Sequence, residues 1–314
     1  MPTMKSAQIT RYGGSEVVEI NQNAPLPNPS AGKVLAIVKA AGVNPADWKI
    51  REGYMKQMVS LQFPSTLGMD FSGVIKQLGE GVSDLEQGDE VYGQAGVIGG
   101  GSGAFAEMAL ADAGKIAHKP KTLSLKEAAG LPLTGVSAWQ ALVESIGLTK
   151  GQNILIHGGA GGIGSIAIQL AKRLGAYVAT TVSSNDKQFV QELGADEVVD
   201  YKTQPFEDML HDYDAVLDTV GGATYTKSFK VIRKAGVILS MLEQPNSELM
   251  GRFGVNAISQ ATRVNKERLT KLAQWVDQNN IRVHVEKTFL LDEAGKALDY
   301  QRDAHPKGKV VLVI

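Results

Sequence analysis

Two hydrophobic rhythms divide the chain. Up to about residue 122, apolar residues come in short runs broken by Gly, Pro, Asn and Asp, the punctuation of a β-rich region. Residues Met1-Pro2-Thr3-Met4-Lys5 lead directly into strand-like sequence. Strands are expected over 17–20, 34–41, 71–77 and 90–92. Val34-Leu35-Ala36-Ile37-Val38 is apolar without a break, as in a strand covered on both faces. Gly99-Gly100-Gly101-Ser102-Gly103 reads as a flexible loop of the kind that borders a binding site.

From about residue 123 the period lengthens. Helices are expected over 126–129 and 136–145, then a strand over 153–157. Further strands over 177–182, 197–200, 215–218 and 237–240 alternate with helical segments such as 187–193, closed by Gly194. Such alternation predicts a parallel, doubly wound sheet in an α/β protein. Residues 265–277 are amphipathic, with Leu269, Leu272, Trp275 and Val276 on one side. A strand near 283–290, a helix over 292–302 and a strand over 309–313 resemble the first region again. Two domains are therefore expected, 1–122 with 283–314, and 123–282, and 314 residues are enough for two cores.

Composition narrows the chemistry. The apolar fraction of 43% and charged fraction of 21% are those of a soluble globular protein, and no apolar stretch approaches a membrane span. A formal net charge of −1 gives no basic field for nucleic acid or an anionic membrane. The chain contains no cysteine, which removes disulfides, thiolate nucleophiles and sulfur-ligated zinc. The five histidines, His118, His157, His211, His284 and His305, are scattered singly, and no Ser occupies a G-x-S-x-G elbow. No metal site is expected, and no secretory signal is read at the start, so the expected location is cytoplasmic.

One stretch carries positive information. Ile154-Leu155-Ile156 runs into His157-Gly158-Gly159-Ala160-Gly161-Gly162-Ile163-Gly164, and Ile163, Ile166, Ala167, Leu170, Ala171 and Leu174 then recur at helical spacing. Strand, glycine turn and helix are the context in which G-x-G-x-x-G (Gly159, Gly161, Gly164) signals a dinucleotide site. The first glycine makes the turn, the second admits a pyrophosphate, and the third lets helix pack on strand. At the end of the second strand, Ser183 stands where NAD-binding versions carry an acid for the ribose 2′-hydroxyl. Ser183, with Ser184 beside it and Lys187 following, can instead donate to a 2′-phosphate, so NADPH is expected over NADH. The competing reading is that Ser183 and Ser184 cap the next helix, and Asp186 is an acid close by.

Several further segments occur in a fixed order: Gly42-Val43-Asn44-Pro45-Ala46-Asp47-Trp48-Lys49-Ile50-Arg51, Gly68-Met69-Asp70-Phe71-Ser72-Gly73-Val74, Gly88-Asp89-Glu90-Val91-Tyr92-Gly93, Leu131-Pro132-Leu133-Thr134-Gly135, Asp218-Thr219-Val220-Gly221-Gly222 and Gly308-Lys309-Val310-Val311. With the glycine turn they make the chain resemble, over nearly its whole length, the zinc-free medium-chain dehydrogenase/reductases of the quinone oxidoreductase (zeta-crystallin-like) group, close also to plant-type enone oxidoreductases. The resemblance implies a GroES-like β-barrel catalytic domain, a Rossmann domain that binds NADPH over Gly159–Gly164, and a homodimer. Zinc-containing relatives place a Cys where Asn44 stands and a His-Glu pair where Met69-Asp70 stands; Asn and Met are poor zinc ligands. Hydride transfer to a quinone or conjugated enone, which needs no Lewis acid, is the implied reaction.

The same resemblance assigns Asn44 and Thr134 to the nicotinamide, Val220 and Gly221 to the ribose side, and Tyr201 to the flank of the 2′-phosphate. Lys49 stands where some quinone reductases have Tyr and enone-reducing relatives often have Lys. It is the expected catalytic residue, hydrogen-bonding a substrate carbonyl or donating a proton, with Asn44 and Tyr54 lining the same site. A 2-enoyl thioester reductase, and a non-enzymatic NADPH- or RNA-binding protein, are the alternatives that the residues leave open.

Overall fold

The computed structural model describes residues 2–57 and 60–314. The chain forms two compact units, Met1–Leu133 with Val264–Ile314, and Thr134–Arg263.

The first unit starts with β1 (Thr3–Ile9), β2 (Val18–Pro25), β3 (Lys33–Val43), helix α1 (Pro45–Arg51), β4 (Ser65–Thr66), β5 (Asp70–Leu78), β6 (Glu90–Gln94), β7 (Met108–Asp112), β8 (Ile116–His118) and α2 (Leu125–Ala129). Residue 17, expected in a strand, belongs instead to a short 3-10 turn, Ser15–Val17, that precedes β2. Strand β3 is the hub. It pairs antiparallel with β5 and β7, so its apolar run is enclosed inside the sheet. Phe71, Ile75, Phe105 and Ile116 are fully buried around it and form the core of this unit. The glycine-rich segment after β6 is held by Lys33 and Lys115, whose ammonium groups donate to the carbonyls of Gly100 and Gly99, each at 3.1 Å.

The second unit begins within helix α3 (Pro132–Trp139), which continues as a π-helix over Gln140–Ser145 where an uninterrupted α-helix over 136–145 was expected. Its elements are β9 (Asn153–His157), α4 (Gly162–Arg173), β10 (Tyr177–Val182), α5 (Lys187–Glu192), β11 (Glu197–Asp200), α6 (Phe206–Met209), β12 (Tyr213–Asp218), α7 (Gly222–Ser228), β13 (Ile232–Ser240), α8 (Ser247–Phe253) and β14 (Asn256–Ser259). The strands pair in parallel in the order β11-β10-β9-β12-β13-β14. The order reverses between β9 and β12, and ligands of doubly wound sheets bind outside the carboxyl ends of the strands at such a reversal.

The chain then returns to the first unit through α9 (Lys266–Asn279), β15 (Val285–Leu290), α10 (Ala294–Asp303) and β16 (Lys309–Val313). β16 lies antiparallel beside β3 and parallel to β15. The units join at 133/134 and 263/264, whereas hydrophobic period placed the joins at 122/123 and 282/283. The difference at the second join is α9. Its amphipathic stripe suits either kind of unit, but Tyr92 Oη donates to Leu269 O at 2.7 Å, and Asp277 accepts the N–H groups of Lys121 and Thr122.

Candidate functional site

In the second unit the glycine turn after β9 and the Asp218–Gly222 segment after β12 lie at the sheet reversal, where Thr219 Oγ1 donates to His157 O at 2.8 Å. Strand β9 ends at His157, and Gly158 turns the chain with a φ of +71°. The Gly161 N–H donates back to Gly158 O at 3.0 Å, and α4 begins at Gly162 with no side chain capping it. The amino-terminal N–H groups of this twelve-residue helix therefore meet no capping acceptor, the arrangement that binds phosphate.

The three motif glycines differ in what demands them. A Cβ on Gly164 would strike the Gly158 carbonyl and the Gly159 backbone, and a Cβ on Gly159 would strike Thr180 Oγ1. Around Gly161 the nearest atom that a Cβ would meet, Gly158 O, is 3.4 Å away, and its φ of −74° suits any residue. Neither packing nor backbone conformation explains glycine there. Beneath the turn, the His157 ring is fully buried between Thr181 Oγ1 and Ser228 Oγ, each at 2.9 Å. Burial lowers its pKa to about 4, so the ring is neutral at pH 7.

At the carboxyl end of β12, Asp218 organises the second expected segment. Its Oδ1 accepts the N–H groups of Val220 and Gly221 at 3.0 and 2.9 Å, and its Oδ2 accepts from Ser240 Oγ at 2.7 Å. Val220 is exposed, and Gly221 has a φ of +78°. The Gly222 N–H donates to Glu243 at 2.8 Å. Thr134 is buried at the start of the unit.

The loop after β10 is more mixed than its sequence suggests. Ser183 Oγ donates to Asp186 Oδ2 at 2.7 Å and Ser184 Oγ to Asp200, so neither hydroxyl caps the following helix. The bond from Ser184 leads the contacts that hold the Asp200 carboxyl below its ordinary range. Tyr201 is exposed, with Lys202 Nζ 6.0 Å from its ring centre. Lys187, at the start of α5, and Lys202, after β11, thus share this end of the sheet with the carboxylates of Asp186 and Asp200. Asp200 and Lys202 were not anticipated; both flank Tyr201, and the neighbours of that tyrosine were the available signal.

In the first unit, Asn44 stands at the amino end of α1, with Pro45 as the first helical residue. Asn44 has no exposed surface. Its amide Nδ2 donates to Asp70 Oδ2 at 2.9 Å and its Oδ1 accepts from Lys309 Nζ. Lys49 lies on α1 with Nζ 5.6 Å from the centre of the Trp48 ring, and Trp48 meets the exposed Tyr54 edge-on at 5.9 Å. Lys49 and Tyr54 thus share one partly exposed cluster, while Asn44 sits in a separate buried one. That cluster includes Asp47, whose Oδ2 accepts the Asn44 N–H at 2.8 Å and whose Oδ1 has no partner. Burial, reinforced by the charge of Asp70, pushes the Asp47 carboxyl up to about 7. The carboxyl also lines a small cavity of about 10 Å³ walled by Ile50, Leu67, Met69, Val97 and Ile98.

Two family models match this chain, an alcohol dehydrogenase GroES-like domain over residues 30–121 and a zinc-binding dehydrogenase domain over 193–312. The 2-methylene-furan-3-one reductase of Solanum lycopersicum is 34% identical over 98% of this chain and 79% of its own. The chain belongs to the quinone oxidoreductase group of the medium-chain dehydrogenase/reductases. Within the group it is also similar to the chloroplastic NADPH-dependent alkenal/one oxidoreductase of Arabidopsis thaliana, 33% identical over 98% of this chain and 79% of that one. A quinone oxidoreductase from Coxiella burnetii superposes with a TM-score of 0.90 at 32% identity, covering 99% of both chains.

A zinc ion, implied by the description of one family model, does not fit this member of the group. Among the described residues no three His, Cys, Asp or Glu side chains are grouped to hold a metal ion. The Asn44 carbonyl oxygen faces the Lys309 ammonium, which would repel a cation bound there. Met69 offers only a thioether.

Proposed function

We propose that this protein is an NADPH-dependent, metal-independent reductase of quinones or α,β-unsaturated carbonyl compounds. The observation that carries the reading is Gly161, a glycine that nothing inside the protein requires, ahead of an uncapped helix terminus at the sheet reversal. The names of its relatives, an alkenal/one oxidoreductase and a furanone reductase, support the acceptor class.

NADPH supplies the hydride. The N–H groups of Gly162, Ile163 and Gly164, with Gly159, Ala160 and Gly161 forming the turn, are assigned to its pyrophosphate. Lys187 and Tyr201 are assigned to the 2′-phosphate with Ser183 and Ser184, whose hydroxyls must turn away from Asp186 and Asp200 to donate. Thr134, Val220 and Gly221 are assigned to the nicotinamide and its ribose. In the first unit Lys49 is the catalytic residue: its ammonium donates to the acceptor carbonyl and stabilises the enolate that forms on hydride addition. Tyr54 lines the acceptor site, and Asn44, assigned with Thr134 to the nicotinamide side, is buried at the amino end of α1 and there also supports the helix that carries Lys49.

The deciding measurement is NADPH oxidation, with chelator present, against quinones, enones, enals and enoyl thioesters. Turnover of quinones or enones is expected. Exclusive use of thioesters, or NADPH binding with no turnover and RNA retention at moderate salt, would replace this reading. A homodimer joined through β14, the edge strand of the parallel sheet, is proposed and is tested by sedimentation. Among the described residues no helix is long and apolar enough to cross a membrane. The cytoplasm is the proposed compartment, and imaging of the tagged protein in its own cell tests it.

A further inference from the structure

Lys309 is almost wholly buried, 4% exposed, and has no place in the chemistry assigned above. Its Nζ donates to Val43 O at 3.0 Å and to Asn44 Oδ1. The far side of the same amide donates to Asp70, whose Oδ1 accepts from Gln94 Nε2 at 2.8 Å and whose Oδ2 also accepts the Leu133 N–H at 3.0 Å. An ammonium only donates and a carboxylate only accepts, so cation, amide and anion can align in one direction only. An Asn at the start of a helix ordinarily turns its side chain onto the helix's own N–H groups. Here the side chain runs between a strand-borne cation and a strand-borne anion, and its backbone N–H goes to Asp47.

This arrangement anchors the amino end of α1. The other end is anchored separately. Arg51, with no exposed surface, pairs with Asp299 at 2.9 Å and Glu52 at 2.6 Å, and Glu52 pairs with Arg302 at 2.6 Å. Lys49 lies between the two anchors on a helix of seven residues.

We propose that Lys309 is a positioning residue of the reductase: through the Val43 carbonyl and the Asn44 amide it sets the orientation of α1 and so the place of the Lys49 ammonium. The proposal rests on the reading of Lys49 given above. It assigns no contact between Lys309 and substrate or cofactor.

The test compares K309M, which keeps the length and removes the charge, with D70N/K309M, which removes both charges so that Asp70 is not left as an unpaired buried carboxylate. Both are expected to lower kcat for an enone at least tenfold while KM for NADPH stays within twofold. In K309M the acid limb of the kcat profile should also move to higher pH. Burial raises the pKa of Asp70, and Lys309 from β16 opposes that rise while Asp47 from α1 faces the same group, so loss of the ammonium lets Asp70 protonate at still higher pH. In the double variant that displacement should vanish. The proposal is overturned if the folded double variant keeps wild-type kcat, or if activity falls only in step with the fraction able to bind NADPH. If K309M does not fold, the double variant decides alone. Absence of turnover by the unaltered protein with every acceptor would instead remove the reading on which the proposal rests.

Discussion

The glycine turn of the second unit and the α1 cluster of the first are built on opposite principles. In the second unit the glycine turn displays bare backbone, namely N–H groups without a capping side chain, a missing Cβ at Gly161 and a neutral histidine underneath. In the first unit Asn44, Asp47, Asp70 and Lys309 are sealed from solvent, and their charges meet one another. One half is an absence of side chains that a ligand fills, and the other is a set of side chains that holds a helix. Backbone sites are set by steric fit over tenths of an ångström, whereas buried charge clusters are set by whether every partner is present.

The contrast can be broken most severely at the turn. Replacing Gly164 by Val should destabilise the second unit by about 3 kcal/mol or more, because the new side chain meets backbone that has nowhere to move. Gly161→Val should leave the melting temperature nearly unchanged and weaken NADPH binding by about thirtyfold, read from nucleotide fluorescence titration. If both variants behave alike, the distinction between an internal and an external need for glycine is wrong. On the other side, Lys49→Met should lower enone turnover by about a hundredfold with KM for NADPH nearly constant; unaltered turnover would remove Lys49 from the chemistry.

Acid sharpens the comparison. The pKa of His157 falls from 6.5 unfolded to about 4 folded, so below pH 6.5 the unfolded chain binds the extra proton. Stability is lost as pH falls from 6.5 toward 4, by about 2 kcal/mol at pH 5. Asp47 acts in the opposite sense, because its folded carboxyl holds a proton up to about pH 7. Urea unfolding of His157→Gln should lose most of the decline between pH 6.5 and 5, and an unchanged slope would show that the ring is not its source. Smaller effects belong to the loop after β10. Ser183→Asp should cut the preference for NADPH over NADH about tenfold, while Asp186→Asn, which releases the Ser183 hydroxyl and removes a charge, should tighten NADPH about threefold. Comparable efficiency with both nucleotides in the unaltered protein would leave that preference without a basis.

The two halves were also unequally legible. The glycine turn, the parallel strands and the carboxyl-end segment from Asp218 to Gly222 follow from local spacing, since strand, turn and helix are each written within a few residues. The buried cluster is not local. Lys309 lies 265 residues from Asn44, and no periodicity relates them. Asn44 itself was picked out by family likeness, and its complete burial was not visible from that likeness. The competing acids around Ser183 were half visible: Asp186 is three residues away, but Asp200 arrives on the neighbouring strand β11. Residue 17 and the π-helix over Gln140–Ser145 show the same limit, because the ends and pitch of an element depend on what packs against it.

The discontinuity of the first unit has a consequence for its birth. The second unit is one uninterrupted stretch and can close while the chain is still being made. The first unit cannot. Its helix α1 is translated well before its two anchors, Lys309 on β16 and the Asp299–Arg302 pair on α10, which lie 248 or more residues further along the chain from the groups they hold. At ordinary elongation rates that interval is on the order of ten to fifty seconds, during which β3 lacks β16 as its neighbour. A ribosome-bound chain halted before β16 should therefore bind the nucleotide without reducing anything, which makes catalysis the last property of this protein to appear.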